Sequence, residues 1–249
     1  MEGYFMTDCG KVREINEDAG GVFYNQAKQM LAAVADGMGG HQAGEIASQM
    51  AIDFVKEKWE AEAEIADVKE AEKWISDIIR AINENVYAHA FSDQRLKGMG
   101  TTIVLALLTD DFVVVGHVGD SRCYLWQEEN ELTQITSDHS LVNELVRTGQ
   151  ISELDAEEHP RKNVLLKAIG TEPNIQPDVK TVEWHENDII LLCSDGLTNK
   201  INDAELEEAL RTMTDVELTL KGLIEKANER GGEDNITLAI VRNKVGEHE

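Results

Sequence analysis

An apolar run that ends in an acidic residue and a glycine-rich turn constrains the fold of this chain more than any other segment. Five apolar residues, Leu31 to Ala35, lead directly into Asp36 and Gly37, and a one-faced helical pattern begins near Ala43. Asp-Gly is a strong hairpin signal, but no returning strand follows it here. An acidic side chain at the end of a buried strand is costly unless a cation or hydrogen-bond donors meet it. The segment therefore predicts a strand that ends at Ala35, a turn that carries chemistry, and a helix.

The remaining pattern predicts an α+β fold of antiparallel sheets covered by pairs of helices. Most of the predicted strands are joined by short turns, and the longer helical patterns come in two pairs. No linker or repeat divides the chain, so we expect a single domain over residues 1–245. Residues 137–171 lack a strong apolar stripe, which predicts a surface lobe, or flap, whose Arg161 and Lys162 could meet acidic partners. A plain surface excursion is the equally weighted alternative.

Charge and cysteine content restrict the partners and the compartment. A formal net charge of −25 argues against nucleic acid or an anionic membrane as a partner. No signal peptide is visible, and the longest apolar runs, Ile103–Leu108 and Ile189–Cys193, are too short to span a bilayer. The three cysteines are widely spaced and form no CxxC pair. The cysteine pattern therefore predicts a protein of the reducing cytoplasm. We also expect a monomer.

Aspartates stand where several predicted strands end, and together they favour a metal site. These residues are Asp18, Asp36, Asp120, Asp195 and Asp234. Each alone is explained by the preference of aspartate for turns. Several such sites, each next to an apolar strand, instead predict a carboxylate cluster, which suits Mg²⁺ or Mn²⁺. Two such ions could activate a water for attack on phosphorus, and they would let so acidic a chain accept a phosphate.

The common side-chain nucleophiles have no matching motif in this sequence. None of the residues six positions after Cys9, Cys123 and Cys193 is an arginine, as a cysteine phosphatase would need. No GxSxG elbow, Walker loop, HExxH motif or EF-hand loop is present. We therefore expect that the nucleophile is not a side chain.

Six short motifs occur in an order that carries a family resemblance across nearly the whole chain. They are Arg13-x-x-Asn16-Glu17-Asp18, Ala35-Asp36-Gly37-Met38-Gly39-Gly40-His41, Gly98-Met99-Gly100-Thr101-Thr102, Val118-Gly119-Asp120-Ser121-Arg122, Ser194-Asp195-Gly196-Leu197 and Glu233-Asp234-Asn235. Together they resemble the metal-dependent protein serine/threonine phosphatases (PPM, type 2C), most closely the compact bacterial members.

The resemblance implies a fold and an activity. The fold would be a four-layer αββα sandwich, in which two antiparallel β-sheets are flanked by helix pairs and the metal site lies between the sheets. The activity would be hydrolysis of phosphoserine and phosphothreonine by water activated at a dinuclear Mn²⁺ or Mg²⁺ centre. The partners would be phosphorylated proteins, including a bacterial Ser/Thr protein kinase that the phosphatase opposes.

The resemblance also implies which residues would hold the ions. Asp36 would bridge two core ions, and the carbonyl of Gly37 would ligate one of them. Asp195 and Asp234 would complete the shell of that same ion. Asp120, together with Asp195, would hold a third ion, as in bacterial relatives.

Four further motif residues would support the centre. Glu17 and Asp18 would reach the other core ion, largely through its waters, and Asn235 is a candidate for a supporting role. Arg13 would clamp the phosphate with its planar guanidinium, which lysine cannot imitate. Without the motif, a solvated Arg13 or a salt bridge to Glu17 would be the preferred interpretation.

One position departs from the eukaryotic members of the family. They carry a histidine directly after the bridging Asp-Gly, where this chain has Met38. His41 is the nearest imidazole, but it could equally cap the helix that begins near Ala43, and a metal-bound water could protonate the leaving group instead.

The sequence is also compatible with two alternative functions. The first is a phosphoprotein-binding regulator that keeps the fold but has no turnover, although the intact set of motif residues argues against it. The second is a phosphohydrolase of small metabolites, which would need a closed pocket that sequence cannot reveal.

Overall fold

Two antiparallel sheets form the centre of the computed structural model, which describes residues 1–40, 42–92, 94–96, 98–129, 131–157 and 159–244. The first sheet contains, in spatial order, β1 (Glu2–Asp8), β11 (Ile236–Arg242), β10 (Ile189–Cys193), β7 (Arg122–Gln127) and β8 (Glu131–Gln134). The second contains β2 (Asp18–Tyr24), β3 (Met30–Met38), β5 (Ile103–Leu108), β6 (Phe112–Val118) and β9 (Asp178–Glu183). The short strand β4 (Gly100–Thr101) pairs with the end of β3.

Helices cover the outer face of each sheet, and short ones lie in the segment 137–171. They are α1 (Ala43–Glu60), α2 (Val68–Ser92), α3 (Leu141–Arg147), α4 (Glu153–Glu157), α5 (Asp195–Thr198), α6 (Asp203–Arg211) and α7 (Val216–Glu229), with a short 3₁₀ helix at Gln94–Leu96. Helices α1 and α2 pack on the second sheet, and the last three pack on the first. Among the residues described, no helix combines the length and the apolar character that crossing a bilayer requires.

Alternation along the buried strands builds three apolar layers. In β5, Ile103, Leu105 and Leu107 pack under α1 and α2. Their neighbours Val104 and Ala106 instead fill the space between the two sheets. A strand buried on both faces reads as a continuous apolar run, because successive side chains point in opposite directions. The predicted αββα sandwich is confirmed.

The strand predicted to end at Ala35 continues to Met38, so this boundary was wrong. Asp36 pairs with Asp18 across β2 and β3, and the next two residues of β3 pair with β4. The extension depends on long-range pairing, which no local apolar pattern encodes. It places Asp36 inside a strand, where its backbone is fixed on both sides.

The segment 137–171 leaves the sheets as an excursion that contains α3 and α4. Its two ends are joined to the body by a bridge between Thr101 and Ile169 and by the pairing of the His139 backbone with Gly119. Within the segment, Ser140 bridges to Leu165 and caps α3 with its side chain. We keep the name flap for residues 137–171.

Candidate active site

Acidic side chains from distant parts of the chain face one another where the two sheets meet. Asp18 and Asp36 are direct cross-strand partners in the second sheet. Asp18 Oδ2 accepts a hydrogen bond of 2.7 Å from Ser194 Oγ, which follows β10 of the first sheet. The Asp195 carboxyl group lies within hydrogen-bonding reach of Asp36 and is repelled by the charge of Asp234. The predicted aspartates are thus brought together.

Burial raises the pKa values of the two aspartates that share the β2–β3 pair. Burial raises the pKa of Asp18 to about 7, although hydroxyl donors from Thr237 and Ser194 oppose the shift. For Asp36, burial and then the negative charge of Asp18 raise the pKa well above its ordinary value. Groups whose charges raise one another's pKa are stabilised in their ionised form by a cation.

The same causes act on the aspartates that follow β6 and β10. Burial and then the charge of Asp195 raise the pKa of Asp120 to about 7. The pKa of Asp195 is itself raised by burial and by Asp234, against a hydrogen bond of 3.1 Å from Asn199 Nδ2 to Asp195 Oδ2.

Hydroxyl groups fix the backbone of Asp36. Its amide donates to Thr102 Oγ1 at 2.9 Å, and its carbonyl accepts from Thr101 Oγ1 at 2.9 Å. The next residue must be glycine, since a Cβ at Gly37 would collide with the carbonyl oxygens of Gly44 and Glu17. The turn is therefore specified by its neighbours as well as by its own sequence.

Arg13 lies at the same site, on the loop between β1 and β2. Its Nη2 donates to Asp234 Oδ2 at 2.8 Å, and its Nε donates to the Glu233 carbonyl at 3.3 Å. Glu17 Oε2 is farther away, 3.9 Å from Nη1. The side chain is 46% exposed, so an incoming group can reach it. The ion pair to Glu17 considered from sequence is therefore secondary to the contact with Asp234.

Glu17 and Asn235 hold the loop that carries Arg13. Asn235 Oδ1 accepts from the Glu17 amide at 2.7 Å, and Asn235 Nδ2 donates to the carbonyls of Cys9 at 2.9 Å and Ile15 at 3.0 Å. Glu17 Oε1 is buried without a hydrogen-bond partner in the described residues, and burial raises the pKa of this carboxyl. His41, the candidate general acid, lies outside the described residues.

The donor set has the chemistry of a site for hard cations. It contains carboxylate and carbonyl oxygens, which are the ligand type that Mg²⁺ and Mn²⁺ prefer. One of them, Glu17 Oε1, has no hydrogen-bond partner among the residues described. In the described part of the chain, no group of three or more His, Cys, Asp or Glu side chains forms a ready-made metal site. Ions here would therefore need ligands beyond the side chains, as the predicted scheme with the Gly37 carbonyl and waters already includes.

Sequence reasoning missed the hydroxyl and amide groups that orient the carboxylates. Ser194 binds Asp18, Thr102 binds the Asp36 amide, and Asn199 binds Asp195. Ser194 and Thr102 belong to two of the six family motifs, which was a sign in the sequence that they lie at the site.

Comparison with known proteins adds four findings. A family model described as Protein phosphatase 2C matches residues 8–228. The serine/threonine phosphatase stp of Listeria innocua serovar 6a is 45% identical over 245 residues, which cover 98% of this chain and 97% of the relative. The crystal structure of serine/threonine phosphatase Stp1 from Staphylococcus aureus has a TM-score of 0.92 at 41% identity, covering 98% of this chain and 95% of that chain. The catalytic domain of serine threonine protein phosphatase PstP, in complex with two manganese ions, has a TM-score of 0.82 at 34% identity, covering 96% of each chain.

Proposed function

The chain belongs to the protein phosphatase 2C family, as its motifs predicted, and on that premise we propose that it hydrolyses phosphoserine and phosphothreonine in other proteins. The family is one of phosphoprotein phosphatases, so the chain is a hydrolase of phosphoric monoesters. One observation carries the proposal: carboxylates from distant segments converge beside the partly exposed guanidinium of Arg13.

Divalent cations, Mn²⁺ or Mg²⁺, are the cofactors that fit this cluster. Its oxygens are hard donors, and Glu17 Oε1 has no partner in the described residues. The pKa values of Asp18 and Asp120 are raised by burial and then by neighbouring aspartate charges, and a bound cation would stabilise the ionised carboxylates against both. When bound, such ions supply Lewis acidity that lowers the pKa of water for attack on phosphorus and offsets the charge of the phosphate. The two manganese ions of the PstP catalytic domain support a dinuclear core.

Each acidic residue has a place in the proposed centre. Asp36 would bridge the two core ions, and Asp195, Asp234 and the Gly37 carbonyl would complete the shell of one. Glu17 and Asp18 would help to hold the other core ion, largely through water molecules. Asp120 would share a third ion with Asp195.

Arg13 binds the phosphate in this proposal. Its contacts with Asp234 and the Glu233 carbonyl fix the plane of the guanidinium. They occupy Nε and one side of Nη2, which leaves N–H groups of Nη1 and Nη2 to meet two phosphate oxygens. Asp234 thereby has two tasks, because it orients Arg13 and also contributes to the metal cluster.

The biological setting follows from the activity. A phosphatase of this kind acts against protein kinases, so we expect a Ser/Thr protein kinase and the substrates of that kinase among its partners. We expect a monomer in the cytoplasm, where such kinases have their substrates.

The first test is phosphate release from a phosphothreonine peptide. We expect turnover with Mn²⁺ or Mg²⁺ and none with a chelator. Asp36→Asn should lower the rate by roughly 100-fold or more, since it removes a charge from the centre of the cluster while the fold survives. Asp53→Asn, an exposed change on α1, is the matched control and should leave the rate unchanged. Full activity of Asp36→Asn, or activity that persists in chelator, would overturn the proposal.

A second comparison separates the alternative functions. Faster hydrolysis of free phosphometabolites than of the phosphopeptide would indicate a small-molecule phosphohydrolase. Binding of the phosphopeptide with no turnover under any metal would indicate a regulator. Either result contradicts the proposed function.

A further inference from the structure

The turn that carries Asp120 is held on both sides by two consecutive residues at the start of the flap. The His139 amide donates to the Gly119 carbonyl at 2.9 Å, and the Gly119 amide donates to His139 Nδ1 at 3.1 Å. On the other side, the Arg122 guanidinium donates to both carboxylate oxygens of Asp138 at 2.8 to 3.1 Å. His139 therefore holds Gly119, which precedes Asp120, and Asp138 holds Arg122, which follows it.

The contact with Gly119 determines the state of the His139 ring. Nδ1 can accept a hydrogen bond only when it carries a lone pair, so the ring is neutral with its proton on Nε2. Burial, His117 and Lys167 together lower the pKa of His139 to about 4 against the opposing charge of Asp178, which agrees with a neutral ring. Nε2 lies 3.4 Å from Asp178 Oδ1 without a hydrogen bond in the described residues.

A second histidine fixes the orientation of the ring. His117 stacks on His139 with 4.6 Å between the ring centroids and 9° between the planes. His117 is itself held, because it belongs to β6 and its Nε2 lies 3.0 Å from the Ser137 carbonyl. His139 is thus a fixed acceptor rather than a mobile one.

Gly119 has no side chain that could hold the Asp120 turn in place, so the turn is held through the backbone amide of Gly119, which donates to His139. Gly119 has a φ of +113°, and a Cβ there would come within 2.6 Å of the Thr102 side chain. The turn is also linked to Asp36, because Ser121 Oγ lies 2.7 Å from Thr102 Oγ1, the acceptor of the Asp36 amide. The direction of the Asp120 carboxylate therefore depends on the backbone contacts of Gly119 before it and on the side-chain contacts of Ser121 and Arg122 after it.

We propose that His139 is a positioning residue for Asp120, whose Nδ1 lone pair holds the Gly119 amide and so aims the Asp120 carboxylate toward Asp195. The inference rests on the proposed function, in which Asp120 and Asp195 hold an ion. Groups that orient a metal ligand without touching the metal affect affinity strongly, because they keep the ligand in its binding direction.

A matched pair of variants isolates the acceptor. His139→Asn places an amide oxygen near the position of Nδ1, whereas His139→Gln places its amide near the position of Nε2. Both variants lose the stacking on His117, so a difference between them reports the acceptor and not the loss of the ring. Thermal unfolding in chelator checks that both variants fold.

The main measurement is Mn²⁺ binding by isothermal titration calorimetry. We expect His139→Gln to weaken binding of the weakest ion by roughly 10- to 100-fold. The Mn²⁺ concentration for half-maximal peptide hydrolysis should rise with it, while KM for the peptide stays near the wild-type value. His139→Asn should retain most of the wild-type affinity. Wild-type affinity in His139→Gln, or equal loss in both variants, would overturn the proposal.

A further measurement on the wild-type protein tests the role of His139 without a substitution, so it remains informative if a variant does not fold. Long-range ¹H–¹⁵N spectra of the wild-type protein should show His139 as the neutral tautomer with the proton on Nε2. A proton on Nδ1 would overturn the proposal.

The two proposals fail in different ways. A wild-type protein that binds Mn²⁺ but hydrolyses no phosphopeptide overturns the proposed function alone. An active wild type with an unaffected His139→Gln variant overturns the positioning role alone. A wild type that binds no Mn²⁺ overturns both.

Discussion

At the scale of single residues, Arg13 gains its orientation from an acidic neighbour. Its guanidinium contacts Asp234 Oδ2 at 2.8 Å and the Glu233 carbonyl at 3.3 Å, and both partners come from the motif before β11. An exposed ion pair contributes little to stability. The pair instead holds a flexible side chain in one direction, and in the proposed function this would lower the entropy cost of binding a phosphate.

We predict that Arg13→Lys impairs catalysis more than it impairs stability. Lysine keeps the positive charge but cannot contact Asp234 and two phosphate oxygens in one plane. A charge-assisted hydrogen bond contributes about 1.5–3 kcal/mol, so kcat/KM for a phosphothreonine peptide should fall by roughly 10- to 100-fold. Steady-state kinetics with saturating Mn²⁺ measure the change.

Lys11 on the same loop is the matched control for charge. Its side chain is exposed, and its backbone amide, which donates to the Gly232 carbonyl, survives substitution. Lys11→Ala should leave kcat/KM near the wild-type value. If Arg13→Lys were as active as the wild type, Arg13 would not be the phosphate clamp.

At the scale of elements, the C-terminal end of the flap depends on one buried amide of α2. Asn83 Oδ1 accepts from the Gly170 amide at 2.8 Å, and Asn83 Nδ2 donates to the Glu172 carbonyl at 3.0 Å. The adjoining bridge between Ile169 and Thr101 leads to Asp36, whose carbonyl accepts from Thr101 Oγ1. Thr101 therefore contacts both the C-terminal end of the flap and the backbone of Asp36 in the acidic cluster.

We predict that Asn83→Ala loosens the flap before it unfolds the domain. The change leaves the buried Gly170 amide without an acceptor and the Glu172 carbonyl without its donor, which costs about 1–3 kcal/mol. Limited proteolysis should cut residues 137–171 faster than in the wild type, and the free energy of unfolding in urea should fall by a similar amount. Glu84→Ala, the exposed neighbour on α2, should change neither; equal behaviour of the two variants would show that the amide is no anchor.

At the scale of the whole molecule, the acidic cluster opposes folding when no cation is bound. Asp18 and Asp120 have pKa values of about 7 in the folded state, raised first by burial, whereas an aspartate in an unfolded chain titrates near pH 4. Between these values the folded state binds more protons than the unfolded state. Stability must then fall as the pH rises towards about 7, and the loss is complete only above that value, where the folded-state carboxyl groups have released their protons.

We predict that the chelator-treated protein unfolds at a lower temperature at about pH 8.5 than at about pH 6.5. Saturating Mn²⁺ should remove most of the difference, because the cation takes over the role of the protons. His139, whose pKa is lowered by burial, acts in the opposite direction, but mainly below about pH 6.5, where histidines of the unfolded chain become charged.

Scanning calorimetry with Asp18→Asn provides the control for this pH effect. The variant lacks one of the titrating carboxyl groups, so its loss of stability between the two pH values should be smaller than in the wild type. A Tm of the chelated wild type that is unchanged or higher at the alkaline pH would contradict the explanation.

Local patterns sufficed for most of the elements, whereas the proposed roles of the site residues come from the family resemblance and stay predictions. The apolar run before Asp36 predicted a buried strand, and Asn202 and Glu205, three residues apart, form both hydrogen bonds of a capping box at the start of α6. These features depend on residues a few positions apart, so the sequence displays them directly. The ordered motifs also predicted the family and the sandwich, both of which are confirmed.

The sequence by itself determined most of the strands and helix starts, because these depend on neighbouring residues, and its six ordered motifs indicated the family and, through it, the candidate ligands. Only the tertiary structure decided which groups meet: Ser194 binds Asp18 across 176 residues, Asp234 binds Arg13 across 221, and His139 reaches Gly119 across 20. It also extended β3 beyond Ala35, since Asp36 is held there by Asp18 of the adjacent strand. The physical reason is that sheet pairing and burial fix the directions of side chains far apart in the chain, and those directions have no local signature.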